Sequence, residues 1–98
     1  MRARWTGALM MFRRALSEAL LGSDEKLLVA GAPTHVVDLE MVRTEFYKTC
    51  VAQEDEKQNT RKKRFYRCVE RAQALSLIGV RVEPTGRTLV WLAEAYAR

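Results

Sequence analysis

The stretch that decides the fold runs from Thr60 to Trp91 and reads TRKKRFYRCVERAQALSLIGVRVEPTGRTLVW. Its first half carries apolar side chains at helical spacing, which predicts one amphipathic helix. This helix should end near Ser76, because Gly79 then lets the chain bend away. The predicted apolar face consists of Phe65, Cys68, Val69, Ala72, Leu75 and Ser76.

The second half of this stretch predicts a two-stranded hairpin. Apolar and other residues alternate from Ile78 to Glu83, which is typical of a strand. Pro84 and Gly86 suit a tight turn, and the residues after it are β-branched or aromatic. We expect Leu89 and Trp91 to face one side of the returning strand and to cover the helices. A helix followed at once by a hairpin is the second half of a winged helix, in which the helix enters a nucleic-acid groove and the hairpin is the wing.

The residues upstream complete this fold with two more helices. Residues 3–21 predict a first helix that Gly22 ends in the left-handed conformation. Residues 23–37 read as a linker, and its last three residues, from His35 on, predict a short strand that pairs with the wing. Asp38 is a good N-cap for a helix over 39–51. A polar loop over 51–59 follows, and Asn59 or Thr60 should cap the basic helix.

The whole pattern predicts an α+β fold, a winged helix (winged helix-turn-helix) with an extra N-terminal helix. Residues 1–22 form that helix, either packed on the domain or used for homodimerisation, and residues 23–98 form the winged-helix domain. All apolar stripes need covering, and we expect them to share one core. The predicted core residues are Trp5, Phe12, Leu16, Phe46, Phe65, Val69, Leu75 and Trp91.

The positive charge of the chain is concentrated in one segment. The 98 residues carry a net charge of +5, and between residues 61 and 81 seven cations stand against Glu70 alone. Clustered Lys and Arg are typical of a polyanion-binding surface, although a run of charges is also compatible with a solvated helix face. The candidate nucleic-acid-binding residues are Lys62, Lys63, Arg64, Arg67 and Arg71 on the helix, and Arg81 and Arg87 on the wing.

Other functions find little support in the sequence. No apolar run approaches the roughly 18 residues of a membrane span, and Arg13, Arg14 and Glu18 interrupt the apolar N-terminal stretch, which argues against a signal peptide. Cys50 and Cys68 lie on predicted apolar faces, so we expect reduced, poorly reactive thiols and a cytoplasmic protein. The sequence holds one histidine and no metal-ligand spacing, phosphate-binding loop or nucleophile motif. We therefore expect no metal, no cofactor and no enzymatic activity.

Four short motifs stand out: Val37 to Tyr47 with Glu-Phe-Tyr, Arg61 to Cys68, Leu77 to Val80, and Leu89 to Ala93. They resemble the C-terminal domain of phage and plasmid replication ATPases of the hexameric helicase and primase-helicase type. The similarity covers about residues 8–93, and the ATPase core with its phosphate-binding loop is missing from this sequence. The resemblance implies DNA contact through the basic helix, at Lys63, Arg64, Arg67 and Arg71, but no ATPase activity.

Two functions follow as expectations. The first is a nucleic-acid-binding module linked to DNA replication, which binds duplex or single-stranded DNA mainly through its phosphates and with weak sequence preference. The second is a non-catalytic protein-interaction module, a small phage-type protein that docks on a host or replication complex and modulates it. A steep loss of DNA affinity with salt distinguishes the first from the second.

Overall fold

A computed structural model of the chain describes residues 7–49 and 58–93, which form a mixed α+β arrangement of helices and antiparallel sheets. The prediction of an α+β fold, with helices followed by a hairpin, is confirmed. The helices and strands are α1 (Ala8–Leu21), β1 (Lys26–Val29), β2 (Ala32–His35), β3 (Val37–Asp38), α2 (Leu39–Thr49), α3 (Gln58–Ala74), β4 (Ile78–Val82) and β5 (Thr88–Leu92).

Helix α1 packs against both other helices through one apolar stripe. Leu9, Phe12, Leu16 and Ala19 recur at helical spacing and are buried. Gly7 has a φ of 54°, outside the helical region, so α1 begins at Ala8. The prediction that the first helix includes Gly7 is therefore wrong. The C-terminal end also differs from the prediction. Gly22 ends the helix at a φ of −92°, not in the left-handed conformation, and its N–H donates to Ala19.

The main core is organised around the ring of Phe65 on α3. Phe12 and Phe46 approach it with ring centroids 5.8 and 5.3 Å away, so all three helices meet at this ring. Leu16 and Val69 are also buried, as predicted. Leu75, in contrast, is 41% exposed, because α3 ends at Ala74 and Leu77 takes the buried position instead. Trp5, Cys50 and residues 51–57 of the loop predicted over 51–59 lie outside the described residues.

The three-stranded sheet has β5 at its centre, between β3 and β4. Val90 pairs with Val37 on one side and with Val80 on the other, and this face joins the helical core. Leu89 and Trp91 do share a side of β5, as predicted. However, they pack with Val36 in a second apolar cluster on the opposite face of the sheet, so the prediction that they cover the helices is wrong.

A hairpin of β1 and β2 covers that opposite face, where the sequence predicted a linker. Leu27 and Val29 of β1 pack on the second cluster. The turn is tight because Ala30 and Gly31 both adopt positive φ, at 52° and 83°, as a two-residue hairpin turn requires. Alanine is unusual at such a position, which explains why the hairpin is hard to see in the sequence. His35 pairs with Lys26 in this hairpin, so of the predicted strand from His35 to Val37 only Val37 pairs with β5, together with Asp38.

The starts of α2 and α3 and the turn between β4 and β5 test the predicted helix caps and turn. Asp38 caps α2, since its Oδ1 accepts a hydrogen bond from the Glu40 N–H at 2.9 Å. Helix α3 already begins at Gln58, so the prediction that Asn59 or Thr60 caps it is wrong. The turn between β4 and β5 contains Gly86 at a φ of 94°, as predicted.

Candidate nucleic-acid interface

Four of the predicted nucleic-acid-binding residues line one groove between α3 and the first turn of α1. This groove has a volume of about 450 Å³. Ala8 and Leu9 form the α1 wall, and the α3 wall is basic. We call it the basic groove; its described lining residues are Ala8, Leu9, Thr60, Lys63, Arg64, Arg67, Cys68 and Arg71.

The orientation of α3 about its own axis places these cations on the side that lines the groove. Phe65 and Ala72 are completely buried, and they fix one side of the helix against the core. Residues three and four apart share a helix face, so the basic residues from Lys63 to Arg71 must lie together on another side. The two walls meet at Cys68, whose Sγ lies 3.6 Å from the carbonyl oxygen of Ala8.

The described lining of the basic groove is positively charged. Its described lining residues include four cations and no carboxylate. The first turn of α1 also lacks an acidic residue. Lys63, Arg67 and Arg71 are exposed, and within the ranges 7–49 and 58–93 no carboxylate forms an ion pair with them. Such a surface attracts anions.

The remaining cations of α3 lie apart from the basic groove. Lys62 is exposed but does not line it. Arg61 is half-buried, and its guanidinium carbon lies 6.0 Å from the centre of the Tyr47 ring on α2, at cation–π distance. Burial raises the pKa of Tyr47, and the nearby positive charges of Arg43 and Arg61 oppose part of that rise. This side of α3 is therefore a packed contact with α2.

Arg81, which the sequence places on the wing, lies in β4 on a different face from the basic groove. It pairs in register with Leu89, which belongs to the second apolar cluster on the sheet face away from the helices. Paired residues in an antiparallel sheet project to the same side. Arg81 is exposed there, so the structure does not bring it together with the cations of α3.

Arg87 is held by three carboxylates of the protein. Its Nη2 pairs with Glu25, and its Nε lies 3.3 Å from Asp38 Oδ2 and 3.8 Å from Glu83 Oε1. The hydrogen bond with Glu25 is the main cause of a raised pKa for Arg87, and the other two carboxylates add to it. Arg87 therefore connects the turn between β4 and β5 to the residues before β1 and to the start of α2. Its charge is compensated inside the fold, and a phosphate would have to compete with these partners.

Sequence reasoning missed the part that α1 contributes to the groove. Ala8 and Leu9 carry no functional signal, and their proximity to Cys68, 60 residues further along, follows only from helix packing. The partners of Arg87 were missed for the same reason, since Glu25 lies 62 residues away. Cys68 is buried, as predicted.

Within 7–49 and 58–93, no group of three or more His, Cys, Asp or Glu side chains converges as a metal site would require. Of the helices described, none is both long enough and apolar enough to cross a lipid bilayer.

Comparison with known proteins places the chain in no family. No protein-family model, curated protein or solved structure matches it.

Proposed function

We propose that this protein is a non-catalytic nucleic-acid-binding module with a winged-helix fold. The order of helices and strands supports the fold: a helix, a short strand, two helices and a hairpin, with the short strand paired to the second strand of the hairpin. The β1–β2 hairpin is then an insertion between the first helix and the short strand.

The observation that carries the function is the basic groove, in which four cations of α3 lie together without a carboxylate among the described lining residues. Phosphate is the anion that such spacing suits, because the row from Lys63 to Arg71 spans eight residues, or about 12 Å of helix, and can meet several phosphates at once. Among the residues whose side chains are described, Gln73 is an exposed amide near this row, and we expect weak sequence preference. The resemblance to replication ATPases suggests DNA as the nucleic acid.

The test removes three exposed cations together. The variant Lys63→Ala/Arg67→Ala/Arg71→Ala should lose binding to labelled DNA of any sequence, and the slope of log K against log salt should fall by about two to three units. Folding should persist, because exposed side chains of this kind usually change stability by less than about 0.5 kcal/mol. Unchanged binding by the folded variant would exclude the basic groove as the interface.

A matched control is available on another surface. Arg13, Arg14 and Lys48 line a second groove, between α1 and α2, together with Glu18 and Glu45. Changing these three cations to alanine removes the same charge from the protein, but from a surface where carboxylates are present. We expect this control to keep most of its DNA affinity and its salt slope.

A protein-interaction module is the second candidate, and exposed apolar side chains favour it. Leu21 is 81% exposed, Leu28 is 68% exposed and Val82 is 67% exposed, and such residues contribute to protein interfaces. If the protein shows no DNA binding even at low salt, this candidate replaces the first.

A further inference from the structure

We propose that the basic groove takes a single nucleic-acid strand along its length, and that the protein therefore binds single-stranded DNA more tightly than duplex DNA. This inference rests on the proposed function and specifies the substrate of the same site. It is carried by the position of α1 beside the cations of α3.

The first argument is one of width. The major groove of duplex DNA is about 12 Å wide, and it admits one helix of about 10–12 Å with its side chains. In this protein the first turn of α1 lies directly beside the basic side of α3, with the Ala8 carbonyl 3.6 Å from Cys68 Sγ. Two helices in contact are about 8–10 Å apart between their axes, so together they are too wide for that groove. Arg64, which is half-buried, is reached most easily by a strand that enters between the helices.

The second argument concerns the outer edge of α3. Glu70 follows Lys63 by seven residues, so it lies on the same line along the helix, and it is exposed. It is not among the residues that line the basic groove. A duplex that approached α3 from outside would bring phosphates close to this carboxylate. A strand lying inside the groove avoids it.

The third argument is that the wing does not supply the second contact that duplex binding would use. Arg81 lies on the sheet face away from the helices, and Arg87 is paired with three carboxylates. The cations that line the groove are therefore the principal contact, and one strand can satisfy them. The described lining residues include no aromatic side chain, so the strand is held by its phosphates and its bases are not stacked on the protein.

The experiment measures fluorescence anisotropy with two labelled ligands, a 20-nucleotide oligo-dT and a duplex of the same length. The wild-type protein should bind the single strand several-fold more tightly at each salt concentration. The decisive variant is Ala8→Glu, which places a carboxylate on the α1 wall without changing any cation. It should weaken single-strand binding several-fold and lower the salt slope by about 0.7 units, the value for one phosphate of a single strand.

The fold should tolerate this change. Ala8 is exposed and begins α1, and a carboxylate in the first turn of a helix is favourable. The control is Ser17→Glu, which adds the same charge to the same helix but in the second groove, and it should leave binding nearly unchanged. Circular dichroism of both variants checks that they are folded.

Two outcomes would overturn the inference while leaving the proposed function in place. One is duplex binding as tight as or tighter than single-strand binding, and the other is an Ala8→Glu variant that binds like the wild type. In either case the Lys63, Arg67 and Arg71 triple variant would still lose binding. If neither ligand binds to the wild type at low salt, the inference and the proposed function fail together.

Discussion

The indole of Trp91 occupies the space that a side chain at Gly79 would fill. The two residues are paired across β4 and β5, and a Cβ atom built at Gly79 would overlap the indole ring. The glycine is therefore required by a close approach of the ring, and not, as predicted, by a bend of the backbone. Trp91 is only 9% exposed, and it cannot move away without disturbing the second apolar cluster.

We accordingly expect Gly79→Ala to destabilise the protein by about 1–3 kcal/mol, the usual cost of overpacking a filled site. Chemical denaturation should show a lower midpoint with an unchanged slope. Gly22→Ala is the matched control, because Gly22 has a negative φ and its nearest neighbour to an added Cβ is 3.7 Å away. The double variant Gly79→Ala/Trp91→Leu should lose less stability than the sum of the losses in the two single variants. Two fully additive losses would contradict the close approach.

The revised core leads to a second expectation. Phe65→Ala should cost about 3–5 kcal/mol, since the ring is completely buried between Phe12 and Phe46. Leu75→Ala, at a position that the sequence also predicts to be buried, should cost less than about 0.5 kcal/mol, because Leu75 is 41% exposed. Thermal unfolding of the two variants compares them directly. Similar losses for both would favour the core predicted from the sequence.

Arg87 should contribute to stability and not to DNA binding. In the variant Arg87→Ala, Glu25, Asp38 and Glu83 remain close together without their cation. The melting temperature should fall, and it should fall less at high salt because these groups are partly exposed and screened. DNA affinity should stay near that of the wild type.

Arg81→Ala is the control for Arg87, because Arg81 is exposed and belongs to the same hairpin. It should change the melting temperature little. A loss of DNA affinity in the Arg87 variant at unchanged stability would instead indicate that Arg87 contacts DNA.

Tyr47 should make stability depend on pH in the alkaline range. Burial raises its pKa above the ordinary value of 10.0, so the neutral form is favoured in the folded state. The contribution of Tyr47 to stability is complete below the pKa that this residue has in the unfolded chain. It is lost as the pH rises through the higher pKa of the folded state. The free energy of unfolding should therefore fall less steeply above pH 10 in Tyr47→Phe than in the wild type. Equal slopes in the two proteins would show that burial does not raise the pKa of Tyr47.

The sequence predicts those parts of the fold that depend on local periodicity. Phe65 and Val69 mark the buried face of α3, and the same periodicity groups Lys63, Arg67 and Arg71 on one side. The β4–β5 hairpin is also predicted well, since Gly86 follows the chemistry of a tight turn. These features need no information about distant residues.

The rest depends on tertiary contacts that a sequence pattern does not contain. Alternation shows that Leu89 and Trp91 share a side of β5, but it does not show which face of the sheet the helices cover. The β1–β2 hairpin is short and turns through Ala30, so neither its length nor its turn residues identify it. The basic groove needs α1 as a second wall, and only packing places Ala8 beside Cys68.

Strand β5 belongs to both apolar clusters, with Val90 in one and Leu89 and Trp91 in the other. The helical side and the hairpin side therefore cannot separate while β5 remains paired. The amide protons of its central residues should exchange with solvent only when the whole domain opens, so their exchange rates report the global free energy of unfolding. We therefore expect the two clusters to unfold as one cooperative unit.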